Sequence, residues 1–291
     1  MSNVDHPEPR SETVRVDPLA PDQRVMGRAG AILRSGGLVA FPTETVYGLG
    51  ANALDSSAIE AVFVAKGRPA TDPLIVHISS TEQAGALTTQ WTPGAAALAD
   101  EFWPGPLTLV VPKSPIIGDS ITAGRPTVAL RVPNHPIAHS LIEAAGVPVA
   151  APSANRFGRI SPTTAAHVAE ELAGSYELLL DGGPTTIGVE SSVVDLSGGR
   201  PVLLRPGGVT LEALRRVVPE IEYMERKSSA EEVAADAPGQ FLRHYAPRTP
   251  LVLVDGGDAL VAELRASLRD ESVQVSVLEL SEDPEVAARQ L

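Results

Sequence analysis

LVAFPTETVYGLGANALDSSAIEAVFVAKGRPATDPLIVHI, residues 38–78, decides the fold class, because short apolar segments there end in polar and charged groups. Leu38–Phe41, stopped by Pro42, and Leu74–Ile78 are short enough to be buried strands rather than helices. Between them the spacing predicts one helix, with Asp55 as N-cap, Ile59, Val62 and Phe63 on one face, and Gly67 followed by Pro69 at its end. The order is strand, loop, helix, loop, strand. Thr43, Glu44, Thr45 and Tyr47 then follow the first strand, Lys66 and Arg68 end the helix, and His77 ends the second strand, so these groups are able to converge on one site. Plainer roles exist for each. Cations at a helix C-terminus oppose the macrodipole, a histidine ending an apolar strand can be a satisfied core residue, and TETVYG can be an ordinary turn.

Outward from this stretch, strands and helices keep alternating. Residues 1–12 are polar and proline-containing and are expected to be a disordered tail, Thr13–Val16 alternates like an edge strand, and a helix follows Pro21 to about Ser35, stopped by Gly36–Gly37. After residue 78 the pattern predicts helices near 81–88 and 93–102, then Trp103-Pro104-Gly105-Pro106 as a rigid turn feeding a strand at 107–111, with Trp103 packed in the core. Residues 112–126 read as loop, and TVALRV (127–132) as a strand with Thr127 and Arg131 on the same side. A helix over 135–145 and a strand over 147–150 lead into APSANRFGRISPTT, where Pro152, Gly158 and Pro162 exclude regular structure. Ser153, Asn155 and Ser161 there offer groups suited to phosphate or adenine, although serine-rich turns are common in plain loops. A helix capped by Thr163 or Thr164, a strand at 178–180, the glycine-rich GGPTTIGVESS and its following strand, a strand Pro201–Arg205 closing the sheet, and a helix at 211–218 complete a larger domain. Residues 219–248 read as a linker, and 249–291 as a short strand–helix–strand unit with one more helix.

Composition narrows the classes. The 291 residues are 43% hydrophobic, ample for a packed core, with no apolar run long enough to span a bilayer and no leader-like N-terminus, so a cytoplasmic protein is expected. Zero cysteines exclude disulfides and thiol catalysis, and the six scattered histidines have no metal-ligand spacing. The net charge is −13 with 3 lysines among 23 basic residues, so no broad nucleic-acid footprint is visible. Arginines ending apolar strands, Arg131 and Arg205, point instead to bidentate recognition of phosphate or carboxylate.

FPTETVYGLG, KGRP and PLIVHI, in this order and spacing and continued by APSAN (151–155), GRISPT (158–163), GVESSVVD (188–195) and LLRPG (203–207), resemble the threonylcarbamoyl-AMP synthase family, the YrdC-like domain, over residues 13–218. HYAP (244–247) resembles the longer form, in which a linker leads to a smaller second domain. The resemblance implies an α/β fold with a twisted mixed sheet and a deep cleft. It also implies the reaction of ATP, L-threonine and bicarbonate to threonylcarbamoyl-AMP and pyrophosphate, in support of threonylcarbamoyladenosine formation in tRNA by a downstream transfer complex. By that resemblance Lys66, Arg68, Ser153 and Asn155 are catalytic, joined at the nucleotide by Ser161, Arg205 and Thr127, with Tyr245 as a lid contact from the linker. Thr45, His77, Arg131, Ala151 (through its backbone) and Ser191 would hold L-threonine, and Mg2+ would arrive with ATP without a dedicated protein cage. Asp72 stands where the family often has Asn in RPxxNPL, and would either contact the nucleotide or help hold Mg2+. Two other classes compete: a non-catalytic double-stranded RNA or tRNA-binding module, opposed by the acidity, and a carbamoyl-transfer domain like the hydrogenase-maturation relatives, whose acylphosphatase and zinc-finger segments are missing from this sequence.

Overall fold

Short apolar runs become strands here because the sheet they form is covered on both faces. Residues 11–224, with 260–263 and 266, are described by the computed structural model. The chain divides into two compact units, Met1–Tyr245 and Ala246–Leu291. In the second, the described residues are helical. The first unit holds, in chain order, β1 (Glu12–Arg15), α1 (Gln23–Arg34), β2 (Val39–Pro42), β3 (Tyr47–Asn52), α2 (Ser56–Lys66), β4 (Ile75–His77), α3 (Thr81–Leu87), α4 (Pro93–Phe102), β5 (Leu107–Pro112), α5 (Asp119–Thr122), β6 (Thr127–Arg131), α6 (Pro136–Ala145), β7 (Val149–Ala150), α7 (Ala165–Leu172), β8 (Leu178–Asp181), β9 (Ser192–Asp195), β10 (Val202–Arg205), α8 (Leu211–Val217) and β11 (Glu222–Tyr223).

The fold is α/β with one mixed sheet, in the order β1-β8-β2-β3-β7-β4-β6-β5-β9-β10-β11. Successive β2 residues feed opposite cores. Val39 and Phe41 pack with Met26 and Leu33 of α1 and Leu141 of α6, whereas Leu38 and Ala40 join the larger cluster with Ile59 and Val62 of α2 and Val168 of α7. A strand buried on both faces reads as a continuous apolar run, which is why periodicity finds β2 without resolving its faces. The helices end where local chemistry dictates. Asp55 accepts from the amides of Ser57 and Ala58 at the start of α2, and Gly67 closes it at φ 62°, a left-handed conformation that costs glycine little. Trp103 is buried, donates from Nε1 to Leu107 O at 2.7 Å, and precedes a cis Pro104.

Four local readings are corrected. The expected loop after Pro42 contains β3, which turns back antiparallel on β2 with Phe41 opposite Gly48. Its glycines disguise it. A Cβ on Gly50 would lie 2.8 Å from Phe41 Cε1, so the strand gives up side chains to admit the Phe41 ring. The 112–126 loop contains the one-turn α5. β1 starts at Glu12, whose amide bonds to Glu177 O at 3.2 Å. Finally, the sheet closes on β11, parallel to β10, and not on β10 itself.

Candidate active site

The strands set the site by register. β4 and β6 are parallel neighbours with His77 opposite Arg131, so both side chains leave the sheet at the same carboxyl end, the end at which open α/β sheets bind ligands. The Thr43–Val46 turn joins β2 to β3 beside them. Thr43 Oγ1 shapes it, donating to Val46 O at 2.7 Å and accepting from the amides of Thr45 and Val46. Segment 151–153 leaves β7, Ser191 immediately precedes β9, and Arg205 ends β10. Together they bound a cleft of about 510 Å³, open space at its mouth included.

Thr45, Arg68, His77, Arg131, Ala151, Ser153, Ser191 and Arg205 of the expected set line this cleft. Lys66, Asp72, Asn155 and Ser161 stand behind the lining and are tied to it. Lys66 Nζ donates to Ser153 O at 2.5 Å and to Asn155 O at 2.6 Å. Asp72 ion-pairs with Arg68 at 3.0 Å, and Ser161 Oγ donates to Glu190 Oε1. Thr127 is not brought in: it starts the strand that Arg131 ends, roughly 13 Å away by the rise of a strand, and is outside the lining. Tyr245 lies outside the described residues, as does the linker from residue 225 onward.

Lys66, Arg68, Arg131 and Arg205 are 2, 7, 4 and 9% exposed, and among the described residues two carboxylates, Glu44 and Asp72, are comparably buried. The cations are aimed by carbonyls. Arg68 donates to Asp72 O at 3.2 Å and Pro73 O at 2.8 Å, Arg131 to Gly105 O at 3.2 Å, and Arg205 to Ser191 O at 2.8 Å. Burial, and after it the neighbouring Arg68, holds the Lys66 ammonium well below the ordinary lysine pKa. Burial also raises the Asp72 carboxyl, against the opposing pull of Arg68 and Lys66. Arg131 Nη2 meets Glu44 Oε1 at 2.7 Å and Thr45 Oγ1 at 3.0 Å, which fixes the guanidinium plane.

His77 is neutral. Burial first, then Arg131, lowers its pKa to about 3, and its Nδ1 has no hydrogen-bond partner among the described residues. Asn155 Oδ1 is likewise buried without one. His77 lines the cleft, and unmet capacity there marks a place for a ligand atom. The His77 shift also predicts acid lability. Because the unfolded chain binds the proton near pH 6.5 and the folded chain only near 3, this contribution is complete above pH 6.5 and is lost as pH falls toward 3. At about 1.4 kcal/mol per unit the loss is on the order of 5 kcal/mol. Melting curves between pH 7.5 and 4 are expected to fall less steeply for His77→Gln than for the wild type, and equal slopes would show that His77 titrates normally.

Glu44, Glu190 and Thr108 were not assigned roles by sequence reasoning. Glu44 sits inside TETVYG, and the signal was charge balance: a buried arginine ending an apolar strand needs a carboxylate nearby. Glu190 lines the cleft, and Thr108 bonds Ser191 Oγ at 2.8 Å.

The family model described as "Telomere recombination" (Sua5/YciO/YrdC) matches residues 31–207, and a second, "Threonylcarbamoyl-AMP synthase, C-terminal domain", matches 209–291. The chain is 50% identical over 254 residues to the threonylcarbamoyl-AMP synthase of Pyrococcus abyssi, covering 86% of this chain and 75% of that one. It is 43% identical over 267 residues to the Bacillus subtilis protein of the same name, covering 91% and 77%. The crystal structure of P. abyssi Sua5 complexed with L-threonine superposes with a TM-score of 0.88 at 45% identity, covering 96% of this chain and 86% of that one. The chain therefore belongs to the Sua5/YciO/YrdC family, in the form that carries the threonylcarbamoyl-AMP synthase C-terminal domain.

Proposed function

We propose that this protein is an L-threonylcarbamoyladenylate synthase, a nucleotidyltransferase that converts ATP, L-threonine and bicarbonate to threonylcarbamoyl-AMP and pyrophosphate. The observation that carries the reading is the excess of buried cations at one cleft in a chain of net charge −13. Basic side chains gathered in one recessed place, three of them arginines, suit anionic ligands, because a guanidinium binds carboxylate or phosphate as a bidentate fork. An RNA-binding module is the weaker reading, because these cations are buried at one cleft rather than spread over an exposed face.

In the proposed reaction the threonine amine condenses with bicarbonate to a carbamate, releasing water. A carbamate oxygen then attacks the α-phosphorus, and the bond to the pyrophosphate oxygen breaks. The protein's part is to hold three anionic species together and to spread the charge of the leaving group. Arg68 and Arg205, with Ser153, would take the phosphates, while Lys66 fixes the 153–155 backbone beneath them. Thr45, His77, Arg131, Ser191 and the Ala151 backbone would take threonine. Arg131 Nη1 has no bonded neighbour among the described residues and is the donor available to its carboxylate. Neutral His77 can hydrogen-bond the substrate without adding charge. Mg2+ would arrive with the ATP substrate and would offset phosphate charge there, without a dedicated protein cage. We further propose that the part of the 219–248 linker beyond β11 acts as a lid, through Tyr245, that keeps water from the acyl-adenylate, and that the product passes to a tRNA-modifying transfer complex in the cytoplasm. Among the described residues no helix is long and apolar enough to cross a membrane.

Pyrophosphate release measured with threonine and bicarbonate supplied or omitted tests the reaction. Release should require both, and release without threonine would sink it. Arg131→Lys should weaken threonine binding far more than ATP binding, since a point charge cannot reproduce the guanidinium fork held by Glu44. Titration calorimetry showing equal losses for the two ligands would reject the assignment.

A further inference from the structure

Two of the carboxylates at this cleft are already committed, Glu44 to Arg131 and Asp72 to Arg68. Asp72, read from sequence as a nucleotide contact or a hold on Mg2+, is wholly buried and spends its charge on that pair. Glu190 differs. It immediately precedes Ser191, is half-buried, and lines the cleft itself. Its main chain is fixed by the Gly208 amide, which donates to Glu190 O at 2.9 Å. Ser161 Oγ donates to Oε1, and among the described residues nothing bonds Oε2.

An ionised carboxylate is out of place on that wall. Arg68, Arg205 and Ser153 line the same cleft and suit a polyphosphate, which Glu190 would repel unless a cation lay between them. ATP brings that cation. Mg2+ is held in nucleotide sites through one or two carboxylates together with phosphate oxygens and waters, and demands no protein cage. We propose that Glu190 is the carboxylate by which this chain holds the Mg2+ of Mg·ATP, with Ser161 orienting it by occupying Oε1. The proposal rests on the reading of the cleft as the ATP site.

The test is equilibrium binding of a non-hydrolysable ATP analogue to the full chain, in Mg2+ and in EDTA, for the wild type and Glu190→Gln. Glutamine keeps the shape and still accepts from Ser161. The wild type should bind the analogue at least ~10-fold more tightly in Mg2+ than in EDTA, the scale on which metal-site partners act. In Glu190→Gln that ratio should collapse toward one, and affinity in EDTA should exceed the wild-type value because the repulsion is gone. Mn2+ gives a second readout: the paramagnetic resonance signal of free Mn2+ should disappear on adding wild type and analogue, and persist with the variant at the same concentrations. An unchanged ratio in a variant that still binds the analogue overturns the role of Glu190 alone. No analogue binding by the wild type in either condition overturns the ATP reading and this proposal with it. Glu190→Asp, which withdraws the carboxylate by one methylene, decides the matter if the glutamine variant does not fold: a reduced ratio supports the proposal and an unchanged one overturns it.

Discussion

Lys66→Met is expected to lower turnover by about two orders of magnitude or more, the scale of losing one charge-stabilising donor, while the fold survives. Two consequences of the substitution oppose each other in stability. Methionine removes an ammonium that burial already disfavours, but it leaves the carbonyls of Ser153 and Asn155 without their donor. Turnover has no such compensation, because the 153–155 segment loses both its anchor and the positive charge beneath it. Pyrophosphate release and thermal melting of the same preparation separate the effects. An inactive variant that is also unfolded would return Lys66 to the plain role of a cation closing a helix.

Arg68→Ala is expected to carry the largest stability cost of any single change at the site, because it takes the ion-pair partner from Asp72, which has no exposure at all. Breaking a buried pair from one side costs roughly 3–5 kcal/mol, while removing both partners is often neutral. At 2–4 °C per kcal/mol for a unit of this size, the melting temperature should fall by roughly 10 °C, and Arg68→Ala/Asp72→Ala should recover most of it. Activity should not recover with it. Recovery of turnover in the double variant would mean that Arg68 serves only Asp72, whereas equal melting temperatures for Arg68→Ala and the double variant would mean that leaving Asp72 without Arg68 costs nothing.

The sequence was most legible where local chemistry decides the outcome. Asp55 and Gly67 bound α2 through a side-chain cap and a left-handed backbone, both properties of single residues. β2 and β4 were visible as apolar runs because each is buried on both faces. β3 was hidden because YGLGAN owes its strand conformation to the space taken by Phe41, a tertiary demand that local propensity does not contain. The site followed the same division. Arg131 and Arg205 stood out as lone cations after apolar strands, but the Glu44–Arg131 pair joins residues 87 positions apart, and the bond from Ser161 to Glu190 spans 29. Thr127 shows the converse. Sharing a face with Arg131 in a strand says nothing about sharing an end of it.

The sheet order has a consequence for the nascent chain. β2 lies between β3, which follows it within a few residues, and β8, which begins only at Leu178. β1 depends on β8 entirely, and β5 must wait for β9. At ribosomal rates of roughly 5–20 residues per second, the open edge of β2 stays unpaired for on the order of ten to thirty seconds after it emerges. Val39 to Phe41 offer a chaperone, or another copy of the same chain, an apolar strand to join throughout that interval. Completion of the sheet around β2 thus waits on a single short strand from the C-terminal half, and substitutions in Leu178–Asp181 should reduce yield from cells more than they reduce the stability of the finished molecule.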